Sequence, residues 1–305
     1  MIRAAIVGIG RWGRTLVSSV QGKSTAIRFV AGHTRTRSSA ESFCAEHGIR
    51  LEDAIEGILG DPAVDAVVFA TPHGQHGAQV EQAAAAGKHV FVEKPFTLDV
   101  KSAEAALDAA ARAGVVLAVA YPRRFHPAMI ELKARLEDGR LGIPSHCTAA
   151  QTSPTGLFMP QEHWRAGPQE GPAGAMSATG VHSLDAMIYL FGRIDEVYCT
   201  NLRRVMPHLE DTTSVALGLA NGMSASLFCS LVTAVSTASR STAARVASSS
   251  PGETSGSASP RSRTNHPAVG MPRQCPKLSI TRGSMCSQPS SKALRRRSME
   301  TGPTR

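Results

Sequence analysis

The 305-residue sequence is poor in aromatic residues, has no closely paired cysteines and contains no long hydrophobic run. Its two Trp, three Tyr and nine Phe make up 5% of the chain. The six cysteines are scattered without a C-x-x-C pair, so they indicate neither a zinc site nor a disulfide framework and favour free thiols in a reducing compartment. The longest apolar run, residues 113–121, is too short to span a bilayer. We therefore expect a soluble cytoplasmic protein with no metal site, no membrane partner and no signal peptide.

The excess of basic over acidic side chains is confined to one end of the chain. Residues 236–305 contain 12 basic and 2 acidic side chains, whereas the remainder contains 21 basic and 22 acidic ones. A nearly neutral body does not favour nucleic acid or a membrane surface as a partner. A basic arm that binds nucleic acid is the weaker alternative for residues 236–305, because no aromatic residue is interleaved with these charges.

The first 122 residues alternate between short apolar strands and helices. Three of these helices, each about 10–15 residues long, are followed by glycine, as helix C-caps prefer. Strands that are apolar throughout and joined by helices are typical of a parallel sheet covered on both faces. With right-handed crossovers, the pattern predicts an α/β fold whose N-terminal domain, residues 1–122, is a doubly wound Rossmann sheet.

Residues 123–232 predict a partial α+β domain for substrate binding and dimerisation, with a largely antiparallel sheet. A helix is predicted over residues 177–191, after a Pro/Gly-rich loop at 152–174 whose length is typical of functional loops. Asn221-Gly222 is a hairpin signal between two of the predicted strands. The strands are predicted over residues 145–151, 196–203, 212–220 and 223–231.

Residues 233–305 differ abruptly from the rest of the chain. They are rich in Ser, Arg and Pro and lose the apolar periodicity of both helices and strands. Such a segment buries too little apolar surface to offset its ordering entropy, so we expect it to be disordered. Because the change falls in the middle of a domain, we hypothesise a reading-frame shift near residues 233–240.

A G-x-G-x-x-G turn directly follows the first predicted strand. It comprises Gly8, Gly10 and Gly13, with Arg11 and Trp12 between the last two. Gly8 makes the turn, Gly10 lets the backbone approach a pyrophosphate, and Gly13 allows the helix to pack closely on the strand. Helix N-termini favour anions, so the turn predicts a dinucleotide site. A glycine-rich turn without a ligand is the less favoured alternative.

The end of the second predicted strand favours NADP over NAD. An acidic residue roughly 20 positions beyond the glycines would bind the ribose 2′-hydroxyl of NAD, and residues 31–37 contain none. Thr34 and Arg35 instead offer a hydroxyl and a guanidinium to a 2′-phosphate, with Arg37 in support. NADP is the preferred cofactor and NAD the alternative. Without a ligand, these residues would form a solvated basic loop.

Glu93-Lys94-Pro95 follows a further predicted strand, at the sheet edge where doubly wound folds bind their ligands. A lysine at that edge can orient a hydroxyl or carbonyl group and stabilise developing alkoxide charge. Taken alone, the tripeptide would be a surface turn.

In combination, these motifs resemble the Gfo/Idh/MocA family, the relatives of glucose–fructose oxidoreductase and inositol dehydrogenase, over roughly residues 1–232. The resemblance implies a nicotinamide-binding Rossmann domain and a second domain whose open sheet often forms a dimer interface, so that a homodimer or homotetramer is expected. It also implies hydride transfer to or from a sugar, polyol or cyclic diol. Besides the glycine turn and Glu93-Lys94-Pro95, the motifs are Ala70-Thr71-Pro72-His73-Gly74-Gln75-His76, Tyr121-Pro122-Arg123-Arg124-Phe125 and Gly180-Val181-His182-Ser183-Leu184-Asp185.

The resemblance implies roles for individual residues. Lys94 would position the reacting hydroxyl, and His182 would accept its proton in the oxidation direction. Further cofactor contacts are expected from Thr71, Pro72, His73, His76 and Glu93. Substrate contacts are expected from Tyr121, Arg123, Trp164 and Asp185. Arg123 and its neighbour Arg124 would either guide an anionic substrate or form a solvated charge pair.

Three positions depart from the family pattern. Many relatives carry Asp four residues before the histidine, where this chain has Ala178, so no Asp–His pair tunes the imidazole. His73 and Pro122 stand where Asn is common. An oxidoreductase is the leading interpretation, and a catalytically silent nicotinamide-binding protein, either a sensor or a decayed family member, is the alternative.

Overall fold

A parallel sheet forms from the strand–helix alternation of the first domain. The computed structural model describes residues 1–167 and 169–244. The strands of this first sheet are β1 (Ile2–Val7), β2 (Ile27–His33), β3 (Arg50–Glu52), β4 (Ala66–Phe69), β5 (His89–Val92) and β6 (Leu117–Val119). The helices between them are α1 (Arg11–Val20), α2 (Glu41–Glu46), α3 (Ile55–Leu59), α4 (His76–Ala85) and α5 (Val100–Ala113).

The six strands have the order β3-β2-β1-β4-β5-β6, and every neighbouring pair is parallel. The side chains of β1 enter two different apolar clusters, Ala5 and Val7 on one face and Ala4 and Ile6 on the other, so the strand is buried on both faces. The predicted doubly wound Rossmann sheet is confirmed. Strand β3 and helix α3 were not predicted, because each is too short to show a period.

Local signals fix the ends of the helices. Asp99 caps α5, since its carboxylate accepts a hydrogen bond from the Ser102 N–H at 2.8 Å. Gly114 ends the same helix in the left-handed region at φ 67°, where a residue without a Cβ is favoured. The predicted helix ends at Gly48, Gly87 and Gly114 are confirmed, and all three have positive φ.

The second sheet is mixed rather than purely antiparallel. Its order is β11-β7-β10-β9-β8, and only β10 and β7 run parallel among these neighbours. The predicted hairpin at Asn221-Gly222 is confirmed, because β9 and β10 pair on either side of it. The strands are β7 (Ile143–Thr152), β8 (Ile194–Leu202), β9 (Thr212–Leu219), β10 (Ser224–Ser230) and β11 (Ser236–Ala244), and the helices are α6 (Pro127–Glu137) and α7 (Val181–Phe191).

One face of this sheet packs against α7. Met187 and Phe191 belong to the same buried cluster as Leu217 and Leu227 of the central strands. A π-helical turn, Met176–Gly180, leads directly into α7. The second core is therefore built between one helix and the middle of the sheet, and the N-terminal end of α7 is held toward the first domain.

Strand β11 corrects the prediction that regular structure ends at residue 233. It pairs antiparallel with β7 from Ser236 opposite Thr152 to Ala244 opposite Ile143. Residues 236–244 consist of Ser, Thr, Ala and Arg without apolar alternation, so their pairing depends on a neighbouring strand that local periodicity does not report. Residues 245–305, the remainder of the segment predicted to be disordered and of the alternative basic arm, lie outside the described residues, and the frame-shift hypothesis near residues 233–240 stays a prediction. No helix within the described ranges is long and apolar enough to cross a membrane.

A buried carboxylate holds the turn between β8 and β9. Asp211 is fully buried, and its Oδ2 accepts the backbone N–H groups of Arg204, Val205 and Met206 at 2.8, 2.6 and 2.8 Å. Its Oδ1 accepts the Thr212 hydroxyl at 2.8 Å. Burial acts to raise the pKa of Asp211, but these hydrogen bonds together outweigh it and the pKa lies below its usual value. The carboxylate is thus ionised in the folded protein at neutral pH.

We predict that Asp211→Ala lowers the free energy of unfolding by about 3 kcal/mol at pH 7, because three backbone donors lose their acceptor. The matched control is Asp195→Ala, which removes an exposed carboxylate paired with Arg193 and should cost less than about 1 kcal/mol. Since the folded pKa of Asp211 is depressed, its contribution is present above the unfolded pKa and is lost as pH falls through the folded pKa. Urea denaturation at pH 7 and pH 3 measures both effects. Equal unfolding midpoints for the wild type and Asp211→Ala at pH 7 would contradict this role.

Candidate active site

The glycine turn packs backbone against backbone. Gly8 has φ +94°, and its N–H donates to the His33 carbonyl at 2.9 Å. A Cβ on Gly8 would lie 2.6 Å from the Ala70 carbonyl oxygen, and a Cβ on Gly13 would lie 2.0 Å from the Gly8 carbonyl oxygen. Both contacts are shorter than any real Cβ makes, so glycine is required at both positions. The end of β1, the start of α1 and the end of β4 therefore meet at one point.

Gly10 differs from the other two glycines because a Cβ there would meet nothing within 4 Å. It is the N-cap residue of α1, no side chain caps the helix, and the first turn carries no acidic residue. The helix N-terminus thus faces open space with its positive dipole end unopposed. A dinucleotide pyrophosphate fits this space, and Arg11 and Trp12 flank it in the first turn of the helix.

Only part of the predicted 2′-phosphate site at the end of β2 is available. Arg35 is exposed and has no ion pair in the described part of the chain, and Thr34 is half-buried beside it. Arg37 pairs with Asp53 at 2.6 Å and with Glu41 at 3.4 Å. Arg37 is therefore less available to a phosphate than Arg35, and its supporting role stays a prediction.

His76 lies between two turns at the edge of the sheet. It is fully buried, and its ring nitrogens lie 2.9 Å from the Pro95 carbonyl oxygen and 3.1 Å from the Thr71 carbonyl oxygen. The ring thus ties the turn after β4 to the turn after β5, and a cofactor contact by His76 stays a prediction. Thr71 donates its hydroxyl to Gln79, and half-buried Pro72 stands before the short turn that begins at His73.

His73 is buried where the long loop of the second domain meets the first domain. Its Nδ1 donates to the Glu170 carbonyl at 2.5 Å, and its ring lies 5.1 Å from the ring of Trp164 in an edge-on arrangement. Burial is the main cause that lowers the pKa of His73 to about 4, so the ring is neutral at pH 7. Glu170 also accepts the Gly74 N–H at 3.1 Å. Trp164 therefore packs at the domain junction, and its predicted contact with the substrate stays a prediction.

A side-chain hydrogen bond joins the glycine turn to Glu93-Lys94-Pro95. The Trp12 indole N–H donates to Glu93 Oε1 at 2.6 Å. Since β4 lies between β1 and β5 in the sheet, this bond crosses the edge at which the strand order reverses. Ligands of doubly wound folds bind at that switch point. Glu93 and Trp12 thus frame one side of the predicted cofactor groove.

Lys94 is fixed by the second domain. Its Nζ donates to the Ala178 carbonyl oxygen at 2.8 Å, within the π-helical turn that precedes α7. Burial lowers the pKa of Lys94 to about 8; Glu93 opposes the shift and the charge of Arg165 adds to it. The ammonium group therefore loses its proton in a range close to neutral pH.

His182 stands on the first turn of α7, one helical turn beyond Ala178. Burial lowers its pKa to about 4, and the positive charges of Lys94 and Arg123 act in the same direction. The ring meets Tyr121 edge-on, with the centroids 6.5 Å apart, and has no hydrogen-bond partner among the described residues. The imidazole is therefore neutral at pH 7 and able to accept a proton.

Asp185 is not free to contact a substrate. Arg124 Nε donates to both of its carboxylate oxygens, at 2.9 and 3.0 Å, and Asp185 is almost fully buried. Arg124 therefore occupies the carboxylate of Asp185, and a substrate contact by Asp185 stays a prediction. Two loop residues near the site, Arg165 and Glu170, were missed by the sequence analysis, since a Pro/Gly-rich loop carries no periodic signal.

Together, the strand order and the shared sheet edge define a Rossmann-type dinucleotide-binding fold followed by a second domain. The chain belongs to the Gfo/Idh/MocA family: residues 2–121 match the family's oxidoreductase profile, described as an NAD-binding Rossmann fold, and residues 129–246 match the profile of its C-terminal domain. The second match includes β11 and extends past residue 232. No group of three side chains able to hold a metal ion is found in residues 1–167 and 169–244.

The chain is similar to characterised dehydrogenases. It is 33% identical over 200 residues to scyllo-inositol 2-dehydrogenase (NAD(+)) of Bacillus subtilis. This match covers 63% of this chain and 54% of that protein. Inositol 2-dehydrogenase of Rhizobium meliloti is 33% identical over 156 residues, or 50% of this chain and 46% of that protein. The crystal structure of the WlbA dehydrogenase from Bordetella pertussis, in complex with NADH and UDP-GlcNAcA, gives a TM-score of 0.70 at 26% identity, covering 76% of this chain and 67% of that one. The chain spans about half the length of the curated relatives it matches.

We predict that Gly13→Ala lowers the stability of the protein, whereas Gly10→Ala weakens dinucleotide binding. In Gly13→Ala the new methyl group collides with the Gly8 carbonyl, which should lower the thermal midpoint by about 5 °C. In Gly10→Ala the methyl group enters open space, so the midpoint should move by less than about 2 °C while the Kd for the dinucleotide rises about tenfold or more. Scanning fluorimetry and a fluorescence titration with NADH and NADPH measure the two effects. Unchanged dinucleotide binding by Gly10→Ala would contradict the placement of the pyrophosphate.

Proposed function

We propose that this protein is a nicotinamide-dependent dehydrogenase that transfers a hydride to or from a hydroxyl-bearing carbon of a sugar, polyol or cyclic diol. The observation that carries the proposal is the meeting of Lys94 and His182, from different domains, at the edge of the sheet next to the glycine turn. The relatives named scyllo-inositol 2-dehydrogenase and inositol 2-dehydrogenase support a polyol as the substrate class.

The chain's own residues position the substrate and move its proton. When bound, the nicotinamide ring accepts or donates the hydride. Lys94 Nζ hydrogen-bonds to the reacting oxygen and stabilises the charge that develops there, an interaction strengthened by its burial. In the oxidation direction, His182, neutral at pH 7, takes the hydroxyl proton and passes it to Lys94 when the Lys94 amine is uncharged; the ammonium group formed in this way carries the charge that stabilises the reacting oxygen and later releases the proton to solvent. Of the two groups, Lys94 has the pKa closer to neutrality and therefore holds the proton in this relay.

We predict that Lys94→Ala lowers kcat for polyol oxidation by about 100-fold or more, since charge stabilisation and the proton acceptor are both lost. In the wild type, the oxidation rate should rise as pH increases through about 8, because Lys94 accepts a proton only when its amine is neutral. The Lys94→Ala variant should lack this rise of the oxidation rate near pH 8. Initial rates of cofactor reduction from pH 6 to pH 10, with a panel of polyols and cyclic diols, measure both effects.

The control for this experiment is Lys101→Ala, an exposed lysine on α5 whose removal should leave the rates and the pH profile unchanged. Equal rates for the wild type and Lys94→Ala would rule out the assigned role. Dinucleotide binding without hydride transfer to any member of the panel would favour a silent nicotinamide-binding protein.

NADP is the cofactor we propose. Residues 31–37 offer no acid to a ribose 2′-hydroxyl, and Arg35 stands exposed and unpaired in the described part of the chain, ready for a charge-assisted bond to a 2′-phosphate. Thr34 supplies a hydroxyl next to it. Arg37 contributes no free charge at this position because Asp53 and Glu41 neutralise it.

We predict that Arg35→Gln raises the Kd for NADPH about tenfold and leaves the Kd for NADH unchanged, because only NADPH carries the 2′-phosphate. Arg37→Gln is the matched control, and it should leave both constants within about twofold of the wild type. Fluorescence titrations at constant ionic strength give the four constants. Tighter binding of NADH than of NADPH by the wild type would overturn the cofactor assignment.

A further inference from the structure

Two adjacent arginines at the start of the second domain have different electrostatic environments. Arg124 donates to both oxygens of Asp185, so a buried carboxylate neutralises its charge. Arg123 donates to the Ser183 hydroxyl at 3.1 Å and to the Gln151 side-chain oxygen at 2.8 Å, and both partners are uncharged. The two guanidiniums therefore differ in net local charge: a carboxylate neutralises Arg124, whereas Arg123 has no charged partner among these contacts and can attract an anion.

Arg123 keeps its charge in a half-buried position. Burial lowers the pKa of its guanidinium, but an arginine stays protonated at any working pH. Its two hydrogen bonds use two of its five N–H donors and leave the others available. Removing a charge from water without a counter-ion is costly, so buried charges in proteins are normally paired. A half-buried guanidinium that keeps its charge, has no carboxylate partner among the described residues and retains free N–H donors is suited to bind an anionic ligand.

Among the described residues, the groups facing Arg123 supply no carboxylate. The positive charges of Arg123 and Lys94 both act on His182. Arg123 also lines a cavity of about 400 Å³ bordered by α6, α7, β7 and β11, whose described lining is mainly apolar and contains no acidic side chain. Glu93, the carboxylate next to Lys94, is hydrogen-bonded to Trp12. The site thus has a positive potential at the place where a substrate would meet Lys94 and His182.

We propose that Arg123 binds a carboxylate of the substrate, and that the preferred substrate is a sugar or polyol acid rather than a neutral polyol. The free edge of the guanidinium receives the two carboxylate oxygens in parallel, while Ser183 and Gln151 hold the arginine in place. The carboxylate then lies on the His182 side of the site, so the substrate is anchored at one end and its hydroxyl is directed toward Lys94. This inference rests on the proposed function and names the substrate class of the same site.

The test compares neutral sugars with acids of the same ring. The kcat/KM values are measured for D-glucose against D-glucuronate and for D-galactose against D-galacturonate, with D-glucose 6-phosphate as a third anion. The wild type should favour the acids at least tenfold. Arg123→Gln should raise the KM for the acids at least tenfold and reduce the preference for acids over neutral sugars to less than about threefold, and Arg123→Lys should restore part of the preference. Arg135→Gln, which changes an exposed arginine paired with Glu131 on α6, is the matched control.

The outcomes separate this inference from the proposed function. Faster turnover of the neutral sugars or of the sugar phosphate by the wild type would overturn the inference, as would an acid preference that persists in Arg123→Gln. Calorimetric titration of D-glucuronate into the NADH complex gives a readout that needs no turnover. If that binding depends on Arg123 while no compound is oxidised, the proposed reaction fails and the inference stands; if D-glucuronate does not bind, the inference fails.

Discussion

Helix α1 lies so close to the end of β1 that Gly13 has no room for a Cβ beside the Gly8 carbonyl. Gly8 in turn leaves no room for one beside Ala70, at the end of the neighbouring strand β4. This backbone contact determines where the helix begins and leaves Gly10 facing open space. A larger residue at either position would displace the N-terminus of α1 and, with it, the anion-binding end of the helix. The cofactor groove therefore depends on main-chain packing before any side chain contributes.

The second domain completes the site through three polar links to the first domain. His73 and Gly74 bond to Glu170, Lys94 bonds to the Ala178 carbonyl, and Trp12 bonds to Glu93 within the first domain. Neither domain alone would place an ammonium group next to an imidazole. Burial at this junction depresses the pKa values of both Lys94 and His182. The same packing that joins the domains thus sets the protonation states that proton transfer requires.

The sequence predicts much of the fold because its apolar periods are strong. Strand β1, helices α1 and α5 and the hairpin at Asn221-Gly222 were all found, since their signals are local. Strand β11 was missed because its pairing partner β7 lies about 90 residues earlier and its own residues show no alternation.

For the site, residue type and spacing located the glycine turn, Lys94 and His182 but did not reveal which polar side chains were already engaged. Arg37, His76 and Asp185 have the right chemistry for ligand contacts, yet each is bonded to a tertiary partner far away in sequence. Arg165 and Glu170 reach the site from an irregular loop. Only the three-dimensional arrangement distinguishes Arg123 from Arg124, because the two are neighbours of identical type.

The acceptor of the Lys94 hydrogen bond is a main-chain oxygen. Replacing the side chain at position 178 leaves that oxygen in place. The hydrogen bond of Lys94 therefore tolerates substitutions at this position as long as the π-helical turn keeps its backbone conformation. A carboxylate anchor would be lost in a single codon change. Fixing the lysine through the polypeptide backbone thus separates its location from the identity of the residue that holds it.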